Sequence, residues 1–241
     1  MKNWFATWFN TPYYHLLYKD RNQAEAEHFI QHLLQQLKPL EEAIFLDVAC
    51  GKGRHSKFIH QNGFCIHGID LSSESIKEAS KNASESLHFK QHDMRETYLE
   101  NHFDYALNLF TSFGYFETDN DNQRAINSMA KNLKKGGKLI IDFMNAKKVV
   151  LNIVKEEVKA VEGIYFHIKR KVENGYILKD IHFTDAGDSY HYQEKVQALD
   201  LNDFSHYLQK AGLNVIDLWG DYELNDFDVL HSNRLIIAAQ K

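Results

Sequence analysis

Residues 43–56 read AIFLDVACGKGRHS. A compact apolar run carrying one aspartate passes through two glycines into a segment able to start a helix. Such a junction leaves backbone N–H groups free and lets a ligand approach the main chain closely. It also constrains the rest of the chain, because an apolar strand feeding a helix belongs in a covered sheet. The following 90 residues repeat the pattern. A helix is expected over 53–62, stopped at Gly63, then a strand at 64–70 and a helix over about 73–83 capped by Ser72 or Ser73. Strands follow at 87–93 and 103–110. Ala125, Ile126, Met129, Ala130 and Leu133 mark a helix stopped at Gly136-Gly137, and 138–144 is a fifth strand. Near-continuous apolar strands alternating with helices predict a parallel sheet covered on both faces.

Upstream, Phe29, Ile30, Leu33, Leu34 and Leu37 fall at helical spacing, so 22–37 reads as an amphipathic helix ended by Pro39. Beyond about 150 the period changes to two. Ile164, Phe166 and Ile168 alternate with Tyr165, His167 and Lys169, while Asn174-Gly175 and Asp185-Ala-Gly-Asp188 mark turns. Three antiparallel strands are expected, near 161–172, 176–184 and 189–199. A helix over 201–211 and strands at 213–219 and 234–240 complete the chain. The meander is too small for a core of its own. One domain over 1–241 is therefore expected, with a helical cap at 1–38 and an antiparallel β insertion at 155–199.

The 241 residues are 44% hydrophobic and 13% aromatic, enough for a packed core, with a formal net charge of −5. That balance disfavours a dedicated nucleic-acid binder. Cys50 and Cys65 form no CxxC or zinc set, and the 14 histidines show no HxH or HExxH spacing, so no metal is expected. The aromatic amino terminus lacks the continuous apolar core of a signal peptide. No apolar run reaches the roughly 18–20 residues of a membrane helix. A cytoplasmic, reduced setting is expected, with no membrane partner and a monomer or homodimer.

Gly51 and Gly53 supply two positions of a G-x-G-x-x-G fingerprint, but Ser56 stands at the third, which weighs against a dinucleotide. Asp70 ends the next strand, where a carboxylate can accept from a ribose diol. The spacing Asp47-x-Ala49-x-Gly51-x-Gly53 resembles motif I of the class I S-adenosylmethionine-dependent methyltransferases. GID at 68–70, HDMRE at 92–96, NLFTSFGYF at 108–116 and LKKGGKLIIDFMN at 133–145 follow in that family's order. The resemblance implies a Rossmann-like seven-stranded sheet in the order 3-2-1-4-5-7-6 with helices on both faces, an antiparallel insertion after strand five, and S-adenosyl-L-methionine as cofactor.

Carried across residue by residue, it implies a cofactor set of Asp47, Ala49, Cys50, Gly51, Gly53, Asp70, Leu71, Asp93, Met94, Arg95, Asn108, Leu109 and Phe110. Tyr14 and Arg21 are added as an amino-terminal lid. Asp93 would meet the adenine amino group, with Met94 as an apolar wall. Phe113, Tyr115, Asn145 and Tyr190 are candidates for the acceptor side. The wording looks most like small-molecule enzymes, sugar N-methyltransferases among them, so methyl transfer to an N or O nucleophile of a small molecule is expected. A nucleic-acid methyltransferase and a non-catalytic cofactor binder are the alternatives. No catalytic residue is assigned, because the sulfonium methyl is already electrophilic.

Overall fold

The computed structural model describes residues 7–19 and 23–241. Its centre is a strand, β1, Ile44–Val48, in which all but the first residue are buried. Around it run β2 (Cys65–Asp70), β3 (Leu87–Gln91), β4 (Phe103–Asn108), β5 (Leu133–Met144), and two later strands described below. β1, β2, β3, β4 and β5 pair in parallel. Successive side chains on these strands point to opposite faces, and both faces are apolar. Phe45 packs with Ile66, Ile140 and Ile236 under a helix at Gln23–Leu37, whose Phe29, Ile30 and Leu33 are buried there. Leu46 packs with Leu139, Ile141 and Ile237 against a second helix at Asp119–Asn132, through Ile126 and Met129.

Numbered in chain order, the helices are α1 (Pro12–Leu17), α2 (Gln23–Leu37), α3 (Arg54–Gln61), α4 (Ser73–Ala79), α5 (Asp119–Asn132), α6 (Ala146–Leu151) and α7 (Leu201–Lys210). A 3-10 turn, Ser80–Asn82, extends α4. The capping chemistry is local: Ser72 accepts from the Ser75 amide and Thr118 from the Asp121 amide, while Asp200 and Asp203 close a reciprocal capping box.

One expected boundary is corrected. α5 ends at Asn132, and Leu133 is already extended; Gly136-Gly137 lie inside β5 rather than stopping the helix. The register beside β4 jumps between Phe103/Leu133 and Tyr105/Lys138, so the extra residues form a bulge. Gly136 has φ 80°, and a Cβ on Gly137 would lie 2.9 Å from the Lys134 carbonyl oxygen. The glycine pair serves a crowded bulge.

After α6 the chain forms a separate four-stranded antiparallel sheet: β6 (Glu156–Val161), β7 (Ile164–Glu173), β8 (Tyr176–Asp185) and β9 (Asp188–Gln197). Three strands were expected. The fourth arises because Glu162 (φ 49°) and Gly163 (φ 85°) make a two-residue turn with the same handedness as Asn174-Gly175 and Ala186-Gly187. A glutamate at the first position hides that turn from a reading of turn composition. α1 covers one face of this sheet, with Trp8 and Leu17 among Phe166, Ile168, Ile181 and Phe183. β10 (Asn214–Trp219) and β11 (Arg234–Gln240) finish the chain. β11 inserts antiparallel between β5 and β10, giving β3-β2-β1-β4-β5-β11-β10, which is the 3-2-1-4-5-7-6 order. Among the described residues no helix is long and apolar enough to cross a membrane.

Candidate functional site

The loop leaving β1 is held by its own backbone. Ala49, Gly51 and Gly53 all have positive φ (61°, 56° and 76°). The Cys50 amide donates to the Ile69 carbonyl at 3.0 Å, which ties the loop to β2. Gly53 is tight against β3, since a Cβ there would lie 2.6 Å from the Phe89 ring. Gly51 is the opposite case. Nothing lies within 4 Å of where its Cβ would stand, and it lines a cleft. That space is room for a ligand against bare backbone.

Asp47 sits beneath this loop and is almost fully buried. Its carboxylate accepts from the Ser56 hydroxyl at 2.5 Å, so it fastens the first turn of α3 to β1. Burial pushes the Asp47 carboxyl up to about 6, although the Ser56 hydrogen bond opposes the rise. Ser56, the residue that replaces a third glycine, thus has a positive task. Cys50 lies with its sulfur near Gly68, and burial pushes its thiol well above the ordinary range, which leaves it inert.

Asp70, at the end of β2, accepts from the Gly51 amide on one oxygen and from the Ser72 amide on the other, each at 2.8 Å. Burial raises its carboxyl against both bonds. Each oxygen keeps acceptor capacity, and the residue lines the cleft. Asp93 and Met94, past β3, form a neighbouring wall. Against the upward push of burial, Arg95 holds the Asp93 carboxyl below the usual carboxylate range, with its Nη2 at 2.6 Å. Arg95 therefore acts through Asp93 and lies outside the lining.

The turn after β4 is strained. Phe110 and Thr111 both adopt the left-handed region, φ 57° and 61°. They are held by a buried ion pair spanning two strands. Asp142 on β5 accepts from the Phe110 amide at 2.7 Å and from Arg234 Nε of β11 at 2.7 Å, while Arg234 Nη2 donates to the Thr111 hydroxyl at 3.0 Å. Phe110 is sandwiched from outside by the Arg54 guanidinium, 4.0 Å from the ring centroid.

The cleft brings together Tyr14, Ala49, Gly51, Asp70, Leu71, Asp93, Met94, Phe110, Phe113 and Tyr115 from the expected set. Cys50 and Leu109 line an adjoining recess, shared with Tyr14, His15, Lys52, Arg54 and His55. Asn108 is fully buried and donates to the Val48 carbonyl, so it braces β1 rather than facing the cleft. Asn145 caps α6 and donates to the Val229 and Ser232 carbonyls. Tyr190 packs on Tyr13 and Phe183, away from the cleft. Arg21 lies outside the described residues. Phe116, from the same aromatic segment as Phe113 and Tyr115, lines the cleft too, and Phe9, His15, Ser72, Ser75, His92 and Ser112 do so without having been assigned to it. For Ser72 and Ser75 the only signal in the sequence is the helix cap.

A second, wider cleft adjoins the first. Tyr115 and Phe116 line both, and the far wall comes from the insertion: Tyr176, Leu178, His191, Tyr192, Gln193 and Lys195. Trp8 stacks on Tyr192 at 4.4 Å between ring centroids. His191 Nε2 lies 3.2 Å from Asp180 Oδ1.

Residues 45–137 match the family described as a methyltransferase domain. A Bacillus subtilis (strain 168) protein, YqeM, is 36% identical over 112 residues, and that match spans 45% of each chain. The dTDP-3-amino-3,4,6-trideoxy-alpha-D-glucopyranose N,N-dimethyltransferase of Streptomyces venezuelae is 28% identical over 223 residues, covering 86% of this chain and 91% of its own. Among solved structures, an S-adenosylmethionine-dependent methyltransferase from Clostridium acetobutylicum superposes with a TM-score of 0.79 over 95% of both chains at 18% identity. The residues in the cleft fit S-adenosylmethionine: an open glycine for close main-chain approach, a half-buried acceptor at Asp70 for a diol, and apolar walls at Leu71 and Met94.

Proposed function

We propose that this chain is an S-adenosylmethionine-dependent methyltransferase whose acceptor is the amine of a small hydroxylated molecule of the amino-sugar class. The observation that supports this reading is the second cleft, open to the first through Tyr115 and Phe116. Its lining mixes aromatic faces (Trp8, Tyr176, Tyr192) with hydrogen-bonding groups (Glu117, Asn174, Gln193, Lys195). Aromatic faces with a few polar groups suit a hydroxylated ring. A curated relative that covers 86% of this chain is named as an N,N-dimethyltransferase of an amino sugar nucleotide.

Ala49 and Gly51 would cradle the cofactor, with Asp70 on its ribose and Asp93 and Met94 at its adenine. Lys52 and Arg54, at the adjoining recess, would meet its carboxylate. When bound, the cofactor supplies an electrophilic methyl on a sulfonium. The protein's task is to bring the amine in line and exclude water. Tyr115 and Phe116 form the wall between the two clefts, and the Tyr115 hydroxyl is anchored to the Thr111 carbonyl at 2.5 Å. His191, held by Asp180 in the wall of the second cleft, would take the proton that the amine loses.

Incubation with labelled S-adenosylmethionine and a panel of amines, amino-sugar nucleotides, tRNA and duplex DNA tests the proposal. Methyl gain on the amino-sugar arm is expected. Transfer confined to a nucleic acid, or cofactor binding with no transfer to any arm, overturns it.

A further inference from the structure

The half of the sheet around β2 and β3 holds a cluster that the methyl-transfer site does not use. Cys65 and His67 are two apart on β2 and so project from one face. His88 on β3 is the register partner of His67, which sets the two imidazoles side by side with ring centroids 4.4 Å apart. One ligating atom from each of Cys65, His67 and His88 falls within 4.8 Å of the others, and all three residues are half-buried.

The surroundings are polar where neighbouring strands are not. The equivalent face of β1 carries Leu46 and Val48, both in the core. Here the Tyr98 hydroxyl stands 3.3 Å from His67 Nδ1, and the His102 ring lies 5.8 Å from that of His67. Tyr98 and His102 come from the segment between β3 and β4. A thiol and two imidazoles, backed by a hydroxyl and a further imidazole, form a borderline-soft donor set rather than a hydrophobic core.

We propose that Cys65, His67 and His88 bind a divalent transition metal of the zinc type, with water or His102 in the fourth position. Zinc–sulfur and zinc–nitrogen bonds of about 2.3 and 2.0–2.1 Å place tetrahedral donors roughly 3.3–3.8 Å apart. The observed cluster reaches that spacing with side-chain movements of about 1 Å, by the same bond lengths. On binding, the Cys65 thiol releases its proton and the thiolate becomes the ligand; no oxidant or reductant is involved. The ion would cross-link β2 and β3, the strands that lead to Asp70 and to the Asp93–Met94 wall. Spacing rules miss this site because the third ligand is supplied by strand pairing rather than by sequence proximity.

The full-length protein, stripped with a chelator, is titrated with Co²⁺ and then Zn²⁺. One cobalt per chain with a thiolate-to-metal charge-transfer band, displaced by zinc, is expected. Cys65→Ser should abolish the band. His88→Gln should weaken zinc binding by more than the roughly 10–100-fold that loss of an outer-shell partner costs. His182→Ala, in the separate Asp180–His182–His191 cluster, should leave the band intact. A measurement without variants runs alongside: zinc should protect Cys65 of the wild-type protein from alkylation. Absence of the band, its survival in Cys65→Ser, its loss in His182→Ala, or alkylation at an unchanged rate overturns the site.

Discussion

The two sheets organise their clefts by different physics. The seven-stranded half shapes its cleft with backbone: left-handed residues at 49, 51, 53, 110 and 111, held by carboxylates that accept from main-chain amides. The insertion shapes its cleft with side chains, chiefly a cluster of rings. Trp8 stacks on Tyr192 and meets Tyr14 edge to face, while Tyr18 and the Trp8 indole both donate to Glu194. The first arrangement tolerates little substitution at a few positions, and the second spreads tolerance over many. A fixed cofactor paired with a variable acceptor suits that division.

The contrast is tested hardest at Asp142. In Asp142→Ala the Arg234 cation stays buried without its partner, and the Phe110 amide loses its acceptor. Removing one member of a buried pair costs about 3–5 kcal/mol. Tyr13→Phe, in α1 where it packs on the insertion, removes the hydroxyl that donates to Asp185, for which about 1 kcal/mol is expected. Urea midpoints at constant m-value measure both. Equal losses would break the comparison.

Asp70→Asn comes next. One amide face must oppose the Gly51 or Ser72 N–H, and the anionic acceptor facing the cleft is gone. Hydrogen bonds to charged groups contribute about 1.5–3 kcal/mol, so S-adenosylmethionine affinity should fall about 10–100-fold by titration calorimetry. Unchanged affinity would remove Asp70 from the site.

The same division governs what could be read without the fold. Strand tips ending in aspartate, and loops whose glycines need positive φ, are local signals, so the β1–β5 core and the ring of Gly51, Asp70, Asp93 and Met94 are visible as pattern. Partners far apart in sequence are not. Nothing in Asn145 reveals that Val229 and Ser232 supply carbonyls to it, so its place just past a strand tip resembled a site. Tyr190 and Tyr192 share a face of β9, and only the docking of α1 decides that Tyr192 reaches the second cleft while Tyr190 packs under Tyr13. Glu162-Gly163 turns the chain with one unfavoured residue, which is why four strands read as three. The second cleft, built of cross-strand neighbours and a distant amino-terminal segment, carries no motif.

Tyr192→Leu sharpens the comparison from the insertion side. It removes the stack on Trp8, an interaction of about 0.5–1.5 kcal/mol beyond area. Acceptor KM should rise a few-fold while cofactor affinity is unchanged, measured on the same preparation. A matching loss in cofactor affinity would show that the two clefts are not independent.

The smallest effect concerns acid. His55 is buried, and burial, with the adjacent Arg54 cation, holds its imidazole well below the ordinary range. Below about 6.5, the ordinary imidazole value, the unfolded chain binds a proton there that the folded chain refuses, so stability falls as pH falls. His15, lowered to about 4 by burial and by Lys52, acts in the same direction. Asp47 acts oppositely. Its carboxyl, raised from 3.8 to about 6, takes a proton in the folded chain before the unfolded one does, so between those values stability grows as pH falls. The insertion has neither feature: Glu157, held low by Arg170, keeps its ion pair through this window. His55→Gln should therefore flatten the decline in Tm between pH 7 and 4.5, and Asp47→Asn should steepen it. For a chain of this size each kcal/mol moves Tm by about 2–4 °C, which scanning calorimetry resolves. Parallel Tm profiles for wild type and both variants would place the acid-sensitive groups elsewhere. Glu157→Gln, changed on the other sheet, should alter the slope only at the acid end of the scan, because a carboxyl held below its ordinary value keeps its full contribution at higher pH.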